Sequence, residues 1–184
     1  MVEEITLVQK QDSLLKLESK KNNSSLLSEF GIGLLGVSGK YFPKPQEEIQ
    51  ALLKFILKSY DSYLDTSTVY GDYKNHINIA LSQCLNEHKS DIKIINKLGL
   101  DLETNTTNIT SLKDDFYQTK KLFPSNQVLY LIHRATLGTI ERDYKFYNFI
   151  KKQDPAISFG ICTNNLTILK SYAEKMKLDI LQIA

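Results

Sequence analysis

The chain has 184 residues, enough for one domain with a sizeable core. With 42% hydrophobic residues, 24% charged residues and a net charge of +2, it reads as a soluble globular protein. Its 23 basic and 21 acidic residues are mixed along the chain, so nothing calls for nucleic acid or an anionic membrane.

No apolar run approaches the ~20 residues of a membrane span. Met1-Val2-Glu3-Glu4 lacks the basic flank and apolar core of a secretory leader, so a cytoplasmic chain is expected. Cys84 and Cys162 are then free thiols rather than a disulfide. Asn105-Thr106-Thr107 and Asn165-Leu166-Thr167 match glycosylation sequons but are read as loop chemistry.

Residues 1–27 read as an N-terminal extension, ending near the polar linker Lys20-Lys21-Asn22-Asn23-Ser24-Ser25. Residues 28–184 read as the folded domain. Gly31-Ile32-Gly33-Leu34-Leu35-Gly36 matches the dinucleotide fingerprint G-x-G-x-x-G, which requires a strand before it and a helix after it. Neither flank fits, since Pro43 and Pro45 follow closely, so a glycine-rich first strand is expected instead.

A helix is predicted over 46–60, with Glu47 and Glu48 at its start and Ile49, Leu52, Leu53, Ile56 and Leu57 on one face. Tyr63-Leu64-Asp65 reads as the end of a strand, and residues 66–71 as the loop after it. A second helix covers about 74–88, with Ile77, Ala80, Leu81 and Cys84 inward. Then come a strand over 92–97, a polar loop over 102–110, a helix over 111–123 stopped at Pro124, and a very apolar strand over 128–133. The remaining elements are a helix over 140–153, a strand over 156–161, a helix over 166–176 and a strand over 178–184.

Strict alternation of strands and helices predicts a parallel α/β sheet. A repeat of about 30 residues is near that of an eight-unit barrel. The expected fold is therefore a parallel (β/α)8 TIM-barrel type, incomplete, with about six strands and five helices.

The C-terminal strand ends carry Gly33, Asp65, Lys97, His133 and Cys162. In a parallel barrel these ends share one rim, where active sites are built. Asp65, Lys97 and His133 are expected to converge there, with Tyr70 reaching over from its loop. Cys162 is read as a buried strand residue rather than a nucleophile.

Leu64-Asp65-Thr66-Ser67 with Tyr70-Gly71, then Asn96-Lys97-Leu98-Gly99, then Leu131-Ile132-His133-Arg134, resemble the Asp, Tyr, Lys and His tetrad of the aldo-keto reductases. Gly160-Ile161-Cys162-Thr163-Asn164-Asn165 and Leu178-Asp179-Ile180-Leu181-Gln182 extend the resemblance, which covers residues 28–184. The resemblance implies NAD(P)H-dependent reduction of an aldehyde or ketone, with Tyr70 as proton donor, Lys97 lowering its pKa, Asp65 holding Lys97, and His133 orienting the carbonyl oxygen. It implies NADPH as cofactor, with Asp65, Thr163 and Gln182 near the nicotinamide, and it implies no metal. Where the family usually has Ser-Asn, this chain has Cys162-Thr163; threonine still offers a hydroxyl to the carboxamide.

Family members complete eight units. The chain is therefore expected to be the first three-quarters of a longer barrel or a gene remnant, lacking the strand-seven and strand-eight loops that form the usual phosphate site. Poor cofactor binding and self-association through open sheet edges are expected. Two alternatives are a non-catalytic regulatory or scaffold subunit, and a Schiff-base barrel using Lys97, which needs a lysine without a carboxylate partner.

Overall fold

Pro45 sets the backbone for the first helix, Gln46–Ser59 (α1), and Glu47 and Glu48 complement its N-terminal dipole. Its face of Ile49, Leu53, Ile56 and Leu57 is buried. The computed structural model describes residues 31–39, 42–60, 63–88, 92–100 and 108–183. The expected N-terminal extension over 1–27 and the sequon at Asn105 lie outside the described residues.

The strands are β1 (Gly31–Gly33), β2 (Tyr63–Ser67), β3 (Lys93–Leu98), β4 (Val128–Ile132), β5 (Ser158–Cys162) and β6 (Ile180–Gln182). They form one sheet in the order β1-β2-β3-β4-β5-β6, and every pair is parallel. The other helices are α2 (His76–His88), α3 (Ile109–Leu122), α4 (Ile140–Gln153) and α5 (Leu166–Lys175), with a short 3₁₀ turn at Leu137–Thr139 before α4. The expected incomplete barrel is thus observed as six parallel strands in a curled half-barrel with five α-helices among the described residues. None of these helices is long and apolar enough to cross a membrane.

Alternation along each strand divides the two faces. Leu64, Ile94, Leu98, Tyr130, Ile132, Phe159 and Ile161 face the helices and are the sheet's buried members of two apolar clusters. One cluster joins β2 and β3 to α1 and α2; the other joins β4 and β5 to α3, α4 and α5. Asp65, Ser67, Lys97 and Cys162 alternate onto the concave face.

Several boundaries differ from the sequence reading, each for a local reason. β2 continues two residues past Asp65, because Thr66 and Ser67 pair with Asn96 and Lys97. Thr66 is buried under α2, but its hydroxyl donates to Asn78 Oδ1 at 2.8 Å, and Asn96 Nδ2 donates to Thr119 Oγ1 at 2.7 Å. Buried polar residues are tolerated where every hydrogen bond is made. α2 starts at His76 because Asn75 takes a left-handed φ of 62°. α3 starts at Ile109 because Asn108 accepts the Ser111 N–H as an N-cap. Asn165 of the second sequon does the same for α5, accepting from Thr167 and Ile168. β6 is shorter than expected, since the Asp179 carboxylate, not a strand carbonyl, takes the Phe159 N–H at 3.1 Å.

Candidate active site

The concave face opens at the C-terminal strand ends into a cavity of about 610 Å³. Asp65, Tyr70, Lys97, His133, Thr163 and Gln182 all line it, with Leu35, Arg134 and Cys162. Every expected site residue therefore reaches one hollow. Another hollow, of about 470 Å³, lies at the opposite strand ends around Lys120, Pro124 and Ser158. None of the expected site residues reaches it.

At the centre is an ion pair. Both Asp65 carboxylate oxygens stand 2.6 Å from Lys97 Nζ. The side chains are 17% and 4% exposed, so the pair is partly shielded from water and little screened. Lys97 Nζ also sits 5.1 Å from the centre of the Tyr70 ring. The Tyr70 ring meets His133 edge-on, with centroids 6.2 Å apart.

Tyr70 hangs from a loop that is pinned at several points. Asn75 N donates to the Thr68 carbonyl at 2.7 Å, and Tyr70 N to the Ser67 carbonyl at 3.2 Å. Thr68 Oγ1 donates to Asp115 Oδ2 at 3.0 Å, and the same oxygen accepts the Gly99 N–H at 2.7 Å. Lys74 Nζ reaches Asp115 Oδ1 at 2.7 Å. Asp115 is fully buried in α3, so a single carboxylate ties the Tyr70 loop to β3 and α3. Gly71 has a φ of +103°, and a Cβ there would stand 2.5 Å from His76 Nδ1. Only glycine makes this turn without strain.

Two opposing effects act on the Tyr70 phenol. The hydrogen bond and charge of Lys97 pull the Tyr70 pKa down, but burial pushes it up more strongly, and the phenol ends above the ordinary tyrosine value. Tyr70 thus holds its proton at neutral pH. Burial also raises the Cys162 thiol. It lies buried at the end of β5, as a strand residue and not as an activated nucleophile.

Gln182 closes the ring of contacts. Its Nε2 donates to Asp65 Oδ2 at 3.1 Å, joining β6 to β2 across the bowl. A carboxylate only accepts, so the amide nitrogen must face it. The amide oxygen is then buried without a hydrogen-bond partner among the described residues. Thr163 N donates to the Gln182 carbonyl at 3.0 Å, while Thr163 Oγ1 accepts the Asn165 N–H at 3.2 Å. Gln182 and Thr163 both line the cavity, and an amide and a hydroxyl are groups that can hydrogen-bond a primary amide such as a nicotinamide carboxamide. Among the described residues no three His, Cys, Asp or Glu side chains gather as a metal site.

Two neighbours of the tetrad escape sequence reading. Ser67 Oγ stands 2.8 Å from His133 Nδ1, and Asp115 holds the Tyr70 loop. The signal for Ser67 was its two-residue spacing from Asp65, which puts both on one strand face once β2 is long enough. Asp115 has no such signal, because a charged residue on an amphipathic helix reads as solvent-facing.

No protein-family model matches the chain, and neither does any curated protein. Solved structures do match. An aldo-keto reductase from Bacillus halodurans, in its holo form, superposes with a TM-score of 0.66 at 17% identity, over 84% of this chain and 52% of that one. The chain shares the fold of the matched part of this reductase, an incomplete (β/α)8 barrel. A glycerol dehydrogenase from Gluconobacter oxydans gives 0.61 at 16% identity, over 83% of this chain and 50% of its own. The aldose reductase from Schistosoma japonicum gives 0.58 at 22%, over 83% and 56%. The chain spans about half the length of these aldo-keto reductase structures.

Proposed function

We propose that the chain is an NAD(P)H-dependent aldo-keto reductase, reducing a small aldehyde or ketone with Tyr70 as proton donor and NADPH as cofactor. The observation that carries this is the Lys97 ammonium, held by Asp65 and set 5.1 Å from the centre of a buried tyrosine ring. When bound, the reduced nicotinamide supplies the hydride. Everything else falls to the side chains.

A carbonyl oxygen that receives negative charge must be protonated, and an alkoxide is a much stronger base than a phenolate. Transfer from Tyr70 therefore runs downhill even with a raised pKa. Lys97 stabilises the phenolate left behind, and Asp65 keeps the ammonium fixed. His133 hydrogen-bonds the carbonyl oxygen and aligns it with the phenol. Gln182 and Thr163 would hold the carboxamide. General acid catalysis of this kind contributes roughly 10²–10⁴-fold.

The Schiff-base alternative needs a lysine without a carboxylate partner, and Asp65 at 2.6 Å argues against it. A scaffold role is favoured by a different feature: β6 is an edge strand among the described residues, with Leu181 37% and Ile183 78% exposed beside it. We include in the proposal that copies associate through this edge, which size-exclusion chromatography against Ile183→Lys tests. Two buried free thiols, Cys84 and Cys162, suit a cytoplasmic setting.

NADPH oxidation with a panel of aldehydes, wild type against Tyr70→Phe, tests the reductase reading. Loss of turnover by roughly 10²-fold or more with intact folding supports it. Equal turnover by Tyr70→Phe, or no turnover in wild type, overturns it and leaves the scaffold.

A further inference from the structure

We propose that Ser67 is a positioning residue that fixes the tautomer of His133, so that the imidazole presents an Nε2–H to the carbonyl oxygen. This rests on the reductase reading of the cavity and adds to it a residue outside the tetrad.

Ser67 ends β2, two residues beyond Asp65 on the same concave face, and is fully buried. Its Oγ lies 2.8 Å from His133 Nδ1 and 3.1 Å from the Lys97 carbonyl oxygen. One hydroxyl hydrogen serves one of them. The Lys97 carbonyl already accepts the Thr68 N–H at 3.3 Å. A separation of 3.1 Å also exceeds the usual O–H···O range of about 2.5–3.0 Å. The Val69 N–H approaches Oγ at 3.4 Å and takes one of its two lone pairs. The 2.8 Å contact is the shorter of the two, and the Lys97 carbonyl keeps the Thr68 N–H as a donor, so we assign the hydroxyl hydrogen to His133 Nδ1.

A neutral imidazole carries one N–H, and the partner of one nitrogen decides the state of the other. With Nδ1 accepting, the hydrogen sits on Nε2. The opposite tautomer would turn an imidazole lone pair toward the lone pairs of a carbonyl oxygen, which repels the substrate it must orient. Ser67 itself touches neither substrate nor cofactor; it acts through His133.

The chain has three histidines, which makes the tautomer directly readable. His76 is an internal reference: its Nδ1 accepts the Asp72 N–H at 3.1 Å, so its hydrogen is on Nε2, 2.8 Å from Gln46 Oε1. The experiment is long-range ¹H–¹⁵N correlation on protein labelled at histidine, at about pH 8, above the ordinary histidine pKa of ~6.5.

His133 is expected to show the Nε2–H pattern in wild type, matching His76. In Ser67→Ala the pattern moves toward a tautomer mixture, and kcat for carbonyl reduction falls roughly 3- to 10-fold, the worth of one hydrogen bond, with the KM for NADPH unchanged. Ser67→Thr restores both. An Nδ1–H pattern in wild type, or an unchanged pattern in Ser67→Ala, overturns the assignment whatever the turnover. The wild-type spectrum decides even where Ser67→Ala fails to fold. An Nε2–H pattern in a wild type without turnover overturns the reductase reading and leaves the Ser67 assignment standing.

Discussion

Asp65 grips the Lys97 ammonium with both carboxylate oxygens, each 2.6 Å away, from a neighbouring strand. Lys97 is the more deeply buried partner, at 4% exposure against 17%. The two ends of the pair are therefore not equivalent. Removing the carboxylate strands a buried charge, whereas removing the lysine leaves a carboxylate that still accepts from Gln182 and partly meets water.

Asp65→Asn is expected to lower stability by about 3 kcal/mol, toward the low end for breaking a buried pair. Lys97→Met is expected to lower it by less. The double variant Asp65→Leu with Lys97→Met should recover most of the loss, because two apolar groups of similar volume need no counter-charge. Urea denaturation of all three variants checks this. A larger loss for Lys97→Met than for Asp65→Asn would contradict the burial argument.

The pH dependence follows from Tyr70. Its pKa lies above the ordinary 10.0, with burial as the first cause and Lys97 opposing it. In the direction of reduction the protonated phenol is the active form. Turnover should therefore be full below pH 10.0 and fall only as pH rises through the higher value. The profile of kcat against pH tests this, and a Tyr70-dependent limb centred well below pH 10.0 would be inconsistent with it.

Asp115 is expected to matter for both folding and rate. Asp115→Ala leaves Thr68 Oγ1, the Gly99 N–H and Lys74 without their acceptor. The expected loss of stability is about 3 kcal/mol, as for a buried network broken at its hub. Because the freed loop carries Tyr70, turnover should fall at temperatures where the protein is still folded. Circular dichroism melting combined with rate measurements separates the two effects.

Gly160 marks the closest approach between β5 and β6. A Cβ there would come within 2.0 Å of the Ile180 carbonyl oxygen and 2.5 Å of Ile180 Cγ2. Gly160→Ala should part these strands and withdraw Gln182 from Asp65. Hydrogen exchange is expected to show faster exchange at β6, with β2 to β4 little changed; uniform protection would contradict it.

How far the sequence foretold this molecule depends on the kind of signal. Helix α1 was legible because Pro45, two glutamates and a four-residue apolar period all agree. β4 was legible because its five residues are almost wholly apolar. The meeting of these four side chains was legible because Asp65, Lys97 and His133 recur at strand ends about one repeat apart, with Tyr70 on the loop after β2. β2 was cut short because Thr66 and Ser67 look like loop residues; their partners, Asn78 for Thr66 and His133 with the Lys97 carbonyl for Ser67, are distant in sequence. Asp115 stayed hidden for the same reason, since its partners sit in two distant segments, the Tyr70 loop and the end of β3.

Gln182 has a further implication. It belongs to the outermost strand of the sheet, yet its amide donates to the carboxylate that holds the lysine on β3. β6 is thus tied to the Asp65–Lys97 pair through one side chain. A change in the position of β6 would therefore shift the Asp65 oxygens and, through them, the Lys97 ammonium.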